Sequence, residues 1–188
     1  MHKFDPKNVE KLDNPTRRKY MPPYKTLEKF GLKLKGGGVF LDVGCGIGYF
    51  TIPAAKILTN GRAIGIDILD EMLELAQERS KGIENIEYIK CGEYDFPIDN
   101  NFADYVMLSN VLHEIEDKGR YINEIKRILK ENGRVFIIEW KKIDTNYGPP
   151  TNHRISQEEV VKWFENVGLK FVSEIEVSEH HYGLIFEK

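Results

Sequence analysis

Apolar runs alternating with amphipathic stretches constrain this chain more than any other feature. "VMLS" (106–109) and "VFII" (135–138) are apolar on consecutive residues, the pattern of strands covered on both faces. Between such runs the period changes. "LDEMLELAQERS" places Met72, Leu73, Leu75 and Ala76 on one side of a helix and Glu/Arg on the other. From "VFLDVG" the order runs through the helix "YFTIPAAKIL", the strand "RAIGIDI", that amphipathic helix, and the strands "IEYIKC" and "ADYVMLS". It continues with the helix "KGRYINEIKRILK", closed by "ENG", and the strand "RVFIIEW". Strand and helix in alternation predict a doubly wound, mostly parallel sheet. Ser156 and Glu159 form a capping-box pair ahead of the helix "SQEEVVKWFENVG". "KFVSEIEVS" and "HHYGLIFEK" then close the chain as an antiparallel hairpin.

With 188 residues, 41% hydrophobic and 30% charged, the chain reads as one ordinary globular domain. No apolar run approaches the ~20 residues of a bilayer-crossing helix, and the N-terminus lacks a secretory signal. Two cysteines, Cys45 and Cys91, allow neither a disulfide framework nor a CxxC zinc pattern. A cytoplasmic location is expected. Residues 1–35 carry ten Lys/Arg against four acids, a net +6, while the remainder carries −9. This proline-punctuated leader attracts anions, or is simply a solvated helical surface. The chain divides at this point into a helical basic leader or lid, 1–35, and a ligand-binding domain, 36–188.

"LDVGCGIGYF" places Gly44, Gly46 and Gly48 directly after the first strand. Glycine there permits positive φ and lets backbone approach a ligand, and a following helix offers free N–H groups. A nucleotide-like ligand follows. Asp67 ends the second strand 19 residues beyond Gly48, where a carboxylate meets the two hydroxyls of a ribose; the alternative is an aspartate capping its own loop. Asp42, beneath the loop, suits a ligand with a cationic amino group. The dinucleotide fingerprint G-x-G-x-x-G is broken, because Tyr49 stands where its last glycine belongs. This argues against NAD.

"LDVGCGIGYFT", "GIDIL", "CGEYDFP" and "LSNVLHEI" together resemble the successive motifs of class I S-adenosylmethionine-dependent methyltransferases. The likeness is to small-molecule members of the ubiquinone/menaquinone and arsenite methyltransferase type, and it covers about residues 36–188. It implies an α/β, doubly wound, Rossmann-like sheet of seven strands with an antiparallel C-terminal hairpin, and S-adenosyl-L-methionine as cofactor. It also implies cofactor contacts from Asp42, Gly44, Cys45, Gly46 and Gly48, and from Asp67, Ile68 and Met72. Glu93 is the candidate acid for the adenine amino group, although the family's Gly-Asp-Ala is replaced here, and a plain surface carboxylate is its alternative. Asn110 follows the fourth strand near the cofactor, or is a turn residue.

Methyl transfer from a sulfonium depends on alignment and exclusion of water, so no catalytic side chain is guaranteed. His113 and Glu114 are the best-placed titratable pair, unless His113 only caps a helix or packs on the sheet. Tyr20, His113, Trp140 and Lys141 are candidates for the acceptor's surroundings, with Arg17 and Arg18 closing over it; Trp140 reads equally as core or rim. The histidines (2, 113, 153, 180, 181) form no i, i+4 pair, and His180 and His181 are expected on opposite faces of a strand, so no metal is expected. The thiolate clusters of arsenite-methylating members are missing. "SNVLHE" replaces the Asn/Asp-Pro-Pro-aromatic motif of enzymes that methylate base amino groups, which argues against nucleic acid. The reading is a methyltransferase acting on a small or medium-sized acceptor. An RNA- or protein-binding module on the same fold and an NAD-dependent oxidoreductase are the alternatives. The oligomeric state is open.

Overall fold

Seven strands form a single sheet in the order β3-β2-β1-β4-β5-β7-β6. They are β1 (Gly37–Val43), β2 (Asn60–Asp67), β3 (Ile86–Lys90), β4 (Ala103–Ser109), β5 (Leu129–Trp140), β6 (Lys170–Glu176) and β7 (His181–Glu187). The computed structural model describes residues 6–33, 36–146 and 148–188. Residues 1–5, 34 and 35 of the expected leader and Tyr147 of the loop after β5 lie outside them. The pairs among β1 to β5 are parallel, while β7 runs antiparallel to both β5 and β6. The predicted fold class and hairpin are therefore observed.

Alternate residues of each central strand enter different apolar clusters, which is why these strands read as continuously apolar. Leu41 and Val43, Val106 and Leu108, and Val135 and Ile137 join one cluster. Phe40, Met107, Phe136 and Ile138 join the other. Helices α5 (Lys118–Ile128) and α6 (Gln157–Asn166) supply Ile122, Ile125 and Phe164 to the first. Helices α2 (Pro23–Lys29) and α3 (Thr51–Ile57) supply Leu27, Ala54 and Ala55 to the second. The capping box at Ser156 and Glu159 is complete, and Gly31 terminates α2 at φ +93°.

One boundary is corrected. The helical pattern extends to Lys130, but α5 ends at Ile128 and β5 starts at once, with Leu129 paired to Ala103. Leu129 is fully buried, and Asn132 adopts φ +62° in the irregular stretch before Arg134. Burial and sheet pairing override the local helical period.

The leader is woven into this body. Helix α1 (Pro15–Tyr20) is capped by Asn14, whose side chain accepts from the Arg17 backbone N–H. Met21, Leu27, Phe30 and Leu32 are buried with Phe40, Phe50 and Phe136. At roughly 1.5–3 kcal/mol for each large apolar side chain, this anchoring is substantial.

Candidate functional site

A cavity of about 1080 Å³ opens beyond the carboxyl ends of the parallel strands, the position at which doubly wound sheets bind ligands. Its floor comes from the residues that end or follow β1, β2, β3 and β4, among them Gly44, Asp67, Glu93 and Asn110. Its roof comes from the leader, through Leu12, Arg17 and Tyr20.

The glycine loop follows β1 with φ of +71°, +52° and +78° at Gly44, Gly46 and Gly48, values that carry a steric cost for other residues. The three have different duties. A Cβ on Gly46 would meet only Leu12 of the roof, at 3.5 Å, so its bareness serves the cavity. A Cβ on Gly48 would strike the Tyr88 hydroxyl at 2.7 Å, so Gly48 serves packing and stands outside the cavity wall. Cys45 is likewise outside the wall: its buried thiol sits where a Cβ on Gly65 would meet it at 2.8 Å. Neither Cys45 nor Gly48 lies on the cavity wall, whereas Gly44 and Gly46 do.

Asp67 braces the loop. One carboxylate oxygen accepts from Gly46 N–H and the other from Leu69 N–H, both at 2.9 Å, and each keeps a lone pair for a further donor. Burial raises its pKa despite these bonds. Asp42 lies under the loop and not in the wall. It is fully buried and accepts from Thr51 Oγ at 2.6 Å. Burial lifts its pKa to about 7, the Thr51 hydrogen bonds pull downward, and Asp67 pushes upward. Ile68, Met72 and Glu93 line the cavity. Ser109 Oγ and Asn110 Oδ1, both on the wall, are buried without a hydrogen-bond partner. Orphaned oxygens of this kind are expensive unless a ligand supplies donors.

His113 and Glu114 both line the cavity, but the principal partner of His113 is a residue that motif reading passed over. Its Nδ1 lies 2.9 Å from Glu139 Oε2 and its backbone N–H donates to Glu139 Oε1 at 3.3 Å. Glu139 is fully buried at the end of β5. A carboxylate only accepts, so Nδ1 carries the proton and Nε2 is the basic nitrogen. Burial pulls the His113 pKa down, but the charge and hydrogen bond of Glu139 outweigh it and the net shift is upward. The available signal was the acid inside "RVFIIEW", since a buried strand keeps a carboxylate only with a partner.

Trp140 lines the cavity, pressed against Gly148, where a Cβ would lie 2.8 Å from the indole. Tyr20 stacks on His181 at 5.5 Å and 11°, and Trp140 lies 4.0 Å from the same ring. His181 is fully buried, and burial pushes its pKa down to about 3, so it stays neutral. His180 also meets Tyr20, edge-on at 6.1 Å. The two histidines thus share a neighbour instead of facing apart, because β7 begins only at His181 and strand alternation does not apply to His180. Lys141 is outside the wall, its backbone held by His180 and Arg154. Arg17 enters the cavity, whereas Arg18 turns outward to Asp13 at 2.6 Å. Tyr49 is buried in the second apolar cluster, off the cavity wall, and its hydroxyl donates to the Met21 carbonyl at 2.7 Å. Among the described residues no cluster of three or more His, Cys, Asp or Glu is arranged to hold a metal ion. None of their helices is long and apolar enough to cross a membrane.

Comparison with known proteins agrees with this geometry. The chain is 30% identical over 133 residues to a demethylmenaquinone methyltransferase of Staphylococcus carnosus, which covers 70% of this chain and 55% of that protein. The chain therefore spans about half the length of this relative. A SAM-dependent methyltransferase from Aquifex aeolicus superimposes with a TM-score of 0.91 at 32% identity, over 98% of both chains. An O-methyltransferase family 2 protein from Planctomyces limnophilus, solved with apigenin, gives a TM-score of 0.67 at 28% identity over 82% of this chain and 52% of that one. The family model described as a methyltransferase domain matches residues 34–183, and with a glycine loop braced by Asp67 and a cavity at the strand ends, this chain belongs to the methyltransferase-domain family.

Proposed function

We propose that this protein transfers the methyl group of S-adenosylmethionine to a small acceptor that must lose a proton, such as a phenol or enol. The observation that carries the reading is the joint presence of a nucleoside-type cradle and a buried His–Glu pair in one cavity. The residues suit the cofactor: Gly46 leaves room for it, Asp67 has lone pairs for ribose hydroxyls, and the orphaned Ser109 and Asn110 oxygens await donors. When bound, the cofactor supplies an electrophilic methyl group on a positively charged sulfur.

The chain itself provides position, dryness and a base. Glu93 faces the cavity from the loop after β3 and is our candidate for the adenine amino group. Asp42, beneath the loop and lifted to about 7 by burial, is favoured in its ionised form when the cofactor's cationic amino end lies above it. His113 Nε2 takes the acceptor's proton while Glu139 holds the ring and stabilises the imidazolium. Trp140 and Tyr20 give the acceptor flat walls, which supports an aromatic molecule. The demethylmenaquinone methyltransferase among the relatives and the O-methyltransferase solved with apigenin support the same acceptor class.

The test is titration calorimetry with S-adenosylhomocysteine. Saturable binding is expected, and Asp67→Ala should weaken it by about a hundredfold, as expected when a hydrogen-bonded charge and the loop brace are both lost. Absence of binding heat in the wild type would overturn the reading.

A further inference from the structure

The loop that follows β5 is held from inside by one buried side chain. Residues 141–150 link Trp140 to the short helix Thr151–His153 and, where described, form neither helix nor strand. A segment of that kind leaves carbonyls in need of donors. Arg154, only 3% exposed, supplies them. Its Nε donates to the Pro149 carbonyl at 2.9 Å and its Nη2 to Thr145 Oγ at 2.7 Å. Its Nη1 donates to the carbonyls of Lys141 at 3.1 Å and Ile143 at 2.6 Å. The rigid, planar fork of a guanidinium reaches this spread of acceptors at once, whereas a lysine presents a single nitrogen. The same guanidinium lies 5.4 Å from the centre of the Trp140 ring, the indole against which Gly148 of the loop is pressed.

The structure gathered in this way is a wall of the ligand cavity. Trp140, Asn146, Gly148, Pro149, Pro150 and His153 all line it, while Arg154 itself does not. Sheet order sets this wall apart from the nucleoside candidates. Asp67 ends β2 and Glu93 follows β3, and β5 lies three strand spacings from β2, roughly 14 Å. The wall adjoins the base instead, because Glu139, the partner of His113, directly precedes Trp140 on β5.

We propose that Arg154 is the positioning residue of the acceptor site: it touches no ligand, but by gathering the loop after β5 it fixes the wall against which an aromatic acceptor lies. The wall is thereby ordered when the chain folds and not when the acceptor binds, which is how pre-organisation raises affinity. The proposal rests on the methyltransferase reading above and goes beyond it by assigning acceptor selection to this loop.

The test measures methyl transfer from S-adenosylmethionine to two flat phenols, apigenin and 1,4-dihydroxynaphthalene, beside calorimetry with S-adenosylhomocysteine, all on the full chain. Arg154→Lys keeps the charge and the apolar stem but loses the fork. It should raise KM for both phenols by about tenfold to a hundredfold, because the ordering of several wall side chains then falls to the binding step. At saturating phenol kcat should stay within about threefold, and S-adenosylhomocysteine affinity within about twofold, as for a loss of uniform acceptor binding. Thr145→Val removes one acceptor of the set and should raise KM by about threefold. An unchanged KM in Arg154→Lys, or in Thr145→Val should the first variant not fold, overturns the proposal. A matching loss of S-adenosylhomocysteine affinity also overturns it, since Arg154 would then support the fold as a whole. A wild type that binds S-adenosylhomocysteine but methylates neither phenol removes the aromatic-acceptor reading and the proposal with it. One that binds no S-adenosylhomocysteine removes the methyltransferase reading itself.

Discussion

His113 and Glu139 show how burial and charge together set a single proton. Desolvation alone would make the imidazole a weaker base, and the buried carboxylate reverses the sign. Glu139 acts here as a positioning residue. In our reading turnover rises as the pH climbs through the raised His113 pKa. Glu139→Gln removes the charge that raises it, so the pH–rate profile should move to lower pH while kcat falls by about 10²-fold. Glu139→Asp should restore part of the rate. A profile that does not move would show that the pair is purely structural. Stability follows the same linkage. The group is raised on folding, so its contribution is complete below the ordinary imidazole value and is lost as pH rises through the shifted one. The sequence brought Gly46 and Asp67 to the cavity wall, where chemistry and backbone coincide. It did not point to Glu139, whose partner lies 26 positions away, and it left the direction of the Cys45 side chain open, because no local rule says which way a loop side chain turns.

At the scale of elements, the turn from β1 into α3 separates folding from binding. Gly48 is bare because Tyr88 and Ile52 crowd it, whereas Gly46 is bare toward the cavity. Both have positive φ, so Ala at either position should cost about 1–2 kcal/mol in urea unfolding, with an added steric cost at Gly48. The ligand should distinguish them. Gly46→Ala is expected to weaken S-adenosylhomocysteine at least about tenfold beyond any effect of Gly48→Ala once both are compared as folded protein. Equal affinities would mean that Gly46 does not touch the ligand. The strands and helices themselves were legible because hydrophobic period and sheet burial agree over most of the chain. Leu129 was the exception, a helix-compatible residue claimed by pairing with Ala103.

For the whole molecule, the leader is the part that the sequence described least well. Its basic charge left a lid over the site and a solvated surface equally open; its described residues pack into one face of the core and roof the cavity. Across that roof Asp13 joins Arg18 to Arg79 of helix α4 (Asp70–Arg79). Burial pushes the Asp13 pKa up, but the two arginines prevail and the net shift is downward, so this link holds above the usual carboxylate range and is lost as pH falls through the lowered value. We expect Asp13→Ala to speed release of S-adenosylhomocysteine by about fivefold in stopped-flow displacement, the kinetic equivalent of ~1 kcal/mol for a partly exposed ion pair. An unchanged release rate would mean that the roof does not gate the cavity. The bond from Tyr49 to the Met21 carbonyl has a consequence for traffic. It fastens the chain immediately after Tyr20, and both Arg17 and Tyr20 ride on the piece ahead of that rivet. A chain held at that one point can swing Arg17 and Tyr20 off the cavity together, so the part of the roof they form opens as one piece.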